Sequence, residues 1–330
     1  MTATSDSATR ATPEPLPDSV VSIQPGGGFC YRAELAWGRL RRWYLKTLRP
    51  GYVRRMAELR RGDTGGAPWE ILDPRDLKYC RNRCTCSWDP ADDPFAWRDR
   101  LPFARWGLAE LQLMGWPLLV LTGLFAYWAW WFGSAAGLVL GLAAGVLLGV
   151  VVYFFRDPPR RIPEGPGLVV SPADGKIAEV TRLEHDGYLG GPAVKIGIFL
   201  SIFNVHLNRS PAAARVIALR YNPGEFLSAL KAECLTRNES MWIGLEEEAA
   251  PHRRMVVRQV AGQYARRIVC AVRPGEVVSR GAKIGMIKLG SRTELILPDE
   301  PGLRIEVRPG DRVQAGSRVV ARYESTGQEG

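Results

Sequence analysis

From Leu111 to Phe155 the chain carries no charged residue of either sign, although Asp, Glu, Lys and Arg make up 24% of its 330 residues. A gap of that length argues against a wholly soluble protein. Histidine is scarce: three residues, His185, His206 and His252, are all the imidazole chemistry has to draw on. The N-terminus lacks the basic start and apolar centre of a secretory leader, which argues against export by a cleaved signal. Basic clusters occur without a recognisable nucleic-acid-binding motif, so no nucleic-acid partner is expected. A full zinc ligand set is also missing. Cys80, Cys84 and Cys86 supply three thiols in a C-x3-C-x-C run, Cys30 is the one distant fourth, and structural zinc normally takes four. These thiols read as reduced cytosolic cysteines rather than metal ligands, and Cys234 and Cys270, in ordinary segments, read as structural.

What is present is an excess of positive charge. Lys and Arg number 44 against 34 Asp and Glu, a formal net charge of +10 that suits an anionic partner. Beside so long an apolar run, that partner is expected to be an anionic lipid surface. The length favours two domains and allows a sizeable core.

Along the chain, residues 1–28 are rich in Ser, Thr, Pro and Gly without apolar periodicity and read as a disordered tail. Residues 29–100 form a basic, Cys-containing extension. Within it Arg39, Arg41, Arg42, Lys46 and Arg49 alternate with Leu40, Trp43, Tyr44, Leu45 and Leu48, a mixture that suits an amphipathic helix on an anionic membrane. The uncharged run is too long for one span, since about 20 apolar residues cross a bilayer. It divides near Gly133-Ser134 into spans of about 111–132 and 135–155, within a hairpin over 101–155. Arginines flank both ends, at Arg98, Arg100 and Arg105 and at Arg156, Arg160 and Arg161, so both ends are expected in the cytoplasm. Residues 156–330 then turn to short β-type runs cut by Gly and Pro, with one helical interval around Glu225–Cys234. A repeat is visible there: "RPGEVVSRGAKIG" from Arg273 and "RPGDRVQAGSRVV" from Arg308. Such turns mark the paired hairpins of lipoyl- and biotinyl-type sandwiches. The expected fold is therefore a mostly β (α+β) domain of that type behind a transmembrane helical hairpin.

Three segments bear chemistry. His206 ends the apolar strand "IGIFLSIFNVHLNRSP", where a core would hold an imidazole firmly, whereas His185 and His252 have polar, loop-like surroundings. Asp174 lies in "VVSPADGKI", which taken alone is a turn. Gly290-Ser291 lies in "MIKLGSRTELILP", which taken alone is a hairpin. Together, and in this order with an intervening "NE" and "VRQVAG", the segments resemble the phosphatidylserine decarboxylases, in particular the short, membrane-tethered branch of these pyruvoyl enzymes. The resemblance covers about Phe154 to Tyr323.

That resemblance implies decarboxylation of phosphatidylserine to phosphatidylethanolamine by a pyruvoyl group that the chain makes from its own Ser291. It implies self-cleavage between Gly290 and Ser291 into a paired 1–290 and 291–330, with Ser291, His206 and Asp174 as catalytic residues and no metal. This chain has Ser291-Arg292 where many members have Ser-Thr. It has Phe203 where those members place a second histidine, so a two-histidine mechanism does not carry over. The chemistry is self-consistent. A serine hydroxyl needs an adjacent base, an imidazole can be that base, and a carboxylate can orient the imidazole. Arg156, Arg160 and Arg161, just past the second span, are candidates for binding the headgroup phosphate. The alternative is a non-catalytic lipoyl- or biotinyl-like module on a membrane anchor. It calls for a modifiable lysine at the hairpin tip, and the nearest is Lys288.

Overall fold

The computed structural model describes residues 10–227, 233–263, 267–288 and 291–324, with the backbone alone at Leu235. Four helices come first: α1 (Phe29–Leu48), α2 (Pro50–Leu59), α3 (Leu108–Phe132) and α4 (Ala135–Phe154). The strands follow, first β1 (Leu168–Val170), β2 (Gly175–Asp186), β3 (Gly191–Leu200), β4 (Leu207–Arg209) and β5 (Ala214–Asn222). A short helix, α5 (Cys234–Arg237), precedes β6 (Ser240–Glu247), β7 (Arg254–Ala261), β8 (Arg267–Cys270), β9 (Val277–Val278) and β10 (Lys283–Lys288). The chain closes with β11 (Ser291–Pro298), β12 (Leu303–Ile305), β13 (Arg312–Val313) and β14 (Val319–Tyr323).

The domain is mostly β and antiparallel. An eight-stranded sheet has the order β13-β2-β3-β11-β7-β6-β5-β9, and two three-stranded sheets run β1-β14-β12 and β4-β10-β8. Apolar residues on these strands make the main core, with Ile198, Leu200, Ile243, Leu245, Val257, Leu295 and Leu297 fully buried. The repeat seen in the sequence is a repeat of structure. Arg273 N–H donates to the Glu276 carboxylate as Arg308 N–H does to Asp311. Gly275 and Gly310 both take the positive φ that these turns require.

The two apolar helices are long and apolar enough to cross a membrane. Gly133 ends α3 in the left-handed conformation, and Ser134 caps α4 by accepting the Gly137 N–H at 3.2 Å. Glycines recur every four residues on α4, at 137, 141, 145 and 149. A side chain at Gly137 would lie 2.8 Å from the Ala129 backbone, so small residues let the helices touch near their turn. At the other end the segments flanking the two helices are fastened together. Ala104 N–H donates to the Phe155 carbonyl at 2.7 Å, and Asp157 N–H to the Pro102 carbonyl at 2.8 Å. Gly107 abuts the Phe155 ring so closely that any Cβ would collide with it.

One expectation changes. Residues 10–28 are not a disordered tail but an irregular strap laid over the β domain; residues 1–9 lie outside the described residues. Val20 and Ile23 are fully buried, and the Glu14 and Cys270 amides bond to Ile217 and Ile23 carbonyls at 2.8 and 2.7 Å. A few buried contacts can order a segment that has no period of its own. The helical interval expected at Glu225–Cys234 lies largely outside the described residues, which omit 228–232; at its ends Glu225 bridges to Asn238 and α5 begins at Cys234. On α1 and its C-cap the basic residues divide, Arg39, Lys46 and Arg49 staying exposed. Arg41 and Arg42 turn inward to Asp73 and Asp76, while Trp37, Leu40, Trp43, Tyr44 and Leu48 are exposed. The cysteine trio is packed inside this extension, with Cys84 and Cys86 sulfurs 3.6 Å apart beside Ile71. Burial pushes the Cys86 thiol up to about 12, which disfavours a thiolate.

Candidate active site

Ser291 opens β11 at the centre of the eight-stranded sheet, opposite Leu200 of β3 on one side and Ala261 of β7 on the other. Its side chain is fully buried, and its Oγ has no hydrogen-bond partner among the described residues. Buried hydroxyls are nearly always partnered, so an unpartnered one calls for an explanation. Leu289 and Gly290, which precede it, lie outside the described residues.

His206 is tied to the strand that leads into Ser291. It immediately precedes β4, which pairs with β10, the strand leading into Ser291. The Ile287 N–H donates to the His206 carbonyl at 3.0 Å, fixing the imidazole's backbone to that strand. The ring is 1% exposed and packs on Phe154, the last residue of α4, with centroids 4.6 Å apart. Burial lowers its pKa from 6.5 to about 4; the Asn204 hydrogen bond opposes this and nearby Arg156 adds to it. The ring is therefore neutral at pH 7. Its Nδ1 lies 2.9 Å from the Asn204 carbonyl, which can only accept. The proton consequently sits on Nδ1 and the basic lone pair on Nε2.

Asp174 occupies the turn between β1 and β2 but is engaged elsewhere. Its carboxylate accepts Arg160 Nη2 at 2.8 and 3.0 Å and the Ala315 N–H at 2.8 Å. The group that orients the His206 ring through Nδ1 is thus the Asn204 carbonyl, and Asp174 instead orients Arg160. Both members of that ion pair are almost wholly buried. They line an open cleft of about 790 Å³ together with Arg156, Arg161 and Val205, the neighbour of His206. Arg156 is held by the Tyr153 and Phe203 carbonyls at 2.6 and 2.8 Å. Arg161 is exposed and has no ion pair or hydrogen bond among the described residues.

Several supporting residues escape a motif-based reading. Asn208 donates to Thr293 Oγ1 at 2.9 Å and accepts from Gln259 Nε2 at 2.8 Å, a fully buried network tying β4 to β11 and β7. Its signal in the sequence is a polar residue standing inside each of three apolar strands. Lys288, three residues before Ser291, is buried and bonds to Glu110 at the start of α3 and to Gln24 of the strap, the latter at 2.9 Å. A carrier lysine has to be exposed for modification, so this geometry counts against the carrier alternative. His185 lies exposed at the far end of β2, and His252 in the turn before β7, both outside this constellation.

The family model for phosphatidylserine decarboxylase matches residues 147–321. A Rhodopirellula baltica protein named phosphatidylserine decarboxylase proenzyme is 48% identical over 248 residues, 75% of this chain and 99% of the relative. One of the same name from Carboxydothermus hydrogenoformans is 42% identical over 225 residues, 68% of this chain and 98% of the relative. A third, from Symbiobacterium thermophilum, is 43% identical over 214 residues, 63% of this chain and 93% of the relative. With motif order, buried serine and these matches in agreement, the chain belongs to the phosphatidylserine decarboxylase family.

Proposed function

We propose that this chain is made as a proenzyme, cleaves itself between Gly290 and Ser291, and decarboxylates phosphatidylserine to phosphatidylethanolamine. The observation that carries the reading is Ser291 Oγ, buried and without a described partner at the end of a connection whose entry strand is bonded to His206. In self-cleavage, His206 Nε2 takes the hydroxyl proton, Ser291 Oγ attacks the Gly290 carbonyl carbon, and the proton passes to the departing Ser291 nitrogen, so that an ester and a free amine replace the amide. Removal of the Ser291 α-proton then expels Gly290 as a carboxylate. The dehydroalanine left at 291 hydrolyses with one water to a pyruvoyl group and ammonia.

The buried, strand-anchored N-terminus of β11 is a fitting cradle for that group, because no side-chain partner has to be broken to form it. Once formed, the pyruvoyl supplies a carbonyl that captures the substrate amine and accepts the electrons released with carbon dioxide. His206 Nε2, protonated by the substrate ammonium as its amine is captured, returns that proton to the carbon that has lost its carboxylate. Arg161 at the open cleft holds the headgroup phosphate, Arg156 borders it, and Asp174 keeps Arg160 aimed into it.

The same reading extends to the surroundings. Packing of His206 on Phe154 supports a site at the end of the second span, where a diacyl substrate can reach it without leaving the bilayer. The enzyme sits in the cytoplasmic membrane with residues 156–330 as the catalytic domain, facing the cytoplasm, and its 1–290 and 291–330 chains stay together as a heterodimer. The paired R-P-G hairpins are used as in a lipoyl- or biotinyl-type sandwich. Purified wild-type protein and Ser291→Ala, given phosphatidylserine in mixed micelles, test the reading. Wild type should release carbon dioxide and phosphatidylethanolamine and the variant neither; equal turnover by the variant would remove Ser291 from the mechanism.

A further inference from the structure

A second cavity, of about 580 Å³, lies where α3 leaves the folded domain and shares no residue with the cleft beside His206. Its walls come from α1, the turn at 74–78, the segment 97–105 and the first turns of α3. Trp37, Trp97 and Trp116 stand around it, each more than half exposed. Tryptophans so exposed are out of place facing water but settled at a membrane interface. On its apolar side Leu113 and Trp116 continue directly onto the bare surface of α3.

The polar side is cationic. Lys78 is neutralised by Glu34, and Arg105 by Asp99. Arg75 and Arg98 are different: both are half-buried, and neither guanidinium has a carboxylate partner among the described residues. Arg98 lies over the Phe95 and Trp97 rings at 4.8 and 5.5 Å. Burial above all, then neighbouring arginines, lower the pKa of both, against a weaker opposing pull from Glu34 on both and from Asp73 and Asp76 on Arg75. Two partly desolvated cations held close together call for an anion.

We propose that this cavity binds an anionic diacyl phospholipid, its phosphate between Arg75 and Arg98 and its chains running down α3. The cations and tryptophans converge on the one face of the extension that meets the apolar helix. A free phosphate would satisfy the arginines but leave the tryptophans and Leu113 uncovered. The bound lipid would join the extension to the hairpin, giving residues 29–105 a role at the membrane apart from catalysis.

Native mass spectrometry of the full-length protein in non-ionic detergent tests this with phosphatidylglycerol and phosphatidylcholine supplied at equal mole fraction. Wild type should retain one phosphatidylglycerol in at least tenfold preference to phosphatidylcholine, and Arg75→Gln/Arg98→Gln should lose that preference while Arg161→Gln keeps it. Equal retention of both lipids, loss in Arg161→Gln instead, or displacement by millimolar inorganic phosphate would overturn the proposal. A photoactivatable phosphatidylglycerol mapped on wild-type protein needs no variant to fold. Adducts are expected within residues 97–117, and adducts confined to 153–163 would move the lipid to the catalytic cleft.

Discussion

The acid–base behaviour of His206 follows from its surroundings and can be read from a pH profile. An exposed imidazole would lose half its basic form at its ordinary value of 6.5, but burial lowers this one to about 4. The protonated ring is the disfavoured form, so the base stays competent as pH falls. Precursor refolded from urea should self-process at a nearly constant rate from pH 8 to about 5.5 and slow only below that. A midpoint near 6.5 would mean that the base is another group or that His206 is hydrated during the reaction. His206→Ala should halt processing, while His185→Ala and His252→Ala should leave it intact. Asp174 makes a different prediction from a residue bonded to the ring. If it acts by holding Arg160, then Asp174→Asn, Arg160→Gln and the double substitution should impair activity to a similar degree. Breaking a buried ion pair by removing one partner costs about 3–5 kcal/mol, so each single variant should also melt lower than wild type. Independent, multiplying losses in a double-mutant cycle would break the proposed link. Sequence motifs indicate Asp174, His206 and Ser291 as residues of interest, but not that the imidazole would rest on Asn204. That pairing depends on how the 201–206 turn closes, where the Ser201 N–H and hydroxyl both bond to Asn204 Oδ1.

The hairpin of α3 and α4 is the element most legible in the sequence, because an absence of charge and a Gly-Ser break are local signals. Its fastening is not: the Ala104–Phe155 and Asp157–Pro102 bonds join residues some fifty positions apart, and Gly107 looks like any other glycine until Phe155 is laid against it. Gly107→Val should therefore disturb the base of the hairpin, lowering the yield of folded protein, while Gly149→Val, where nothing lies within 4 Å, should not. The strap at 10–28 was illegible for a related reason. Its order comes from Val20 and Ile23 entering cores built by distant strands, and its own composition reads as loop. Topology has a direct check. Cysteines introduced at Ser134 and at Glu164 should be labelled from opposite faces of the membrane, and labelling of both from one face would rule out a hairpin that spans it.

At the scale of the whole molecule, the position of β11 decides what cleavage would do. The strand is hydrogen-bonded on both edges, to β3 and to β7, and carries the fully buried Leu295 and Leu297. Farther on, β14 pairs with β1 and β13 with β2, so a 291–330 fragment would be woven through the larger one. Each fully buried leucine contributes ~1.5–3 kcal/mol, and two central leucines with two strand interfaces make dissociation and unfolding the same event. The alternation of the β runs announces a mostly β domain, but the strand order does not follow from it. Placing β11 between β3 and β7 depends on pairings across roughly ninety and thirty residues that no local pattern encodes. The central claim is that this woven chain cuts itself at Gly290-Ser291 and leaves a pyruvoyl group behind. Intact mass of the purified protein under denaturing conditions tests it most directly. The account predicts two chains, residues 1–290 and 291–330, the smaller with a pyruvoyl in place of its N-terminal serine; a single chain with the mass of all 330 residues, in protein that decarboxylates phosphatidylserine, would contradict it.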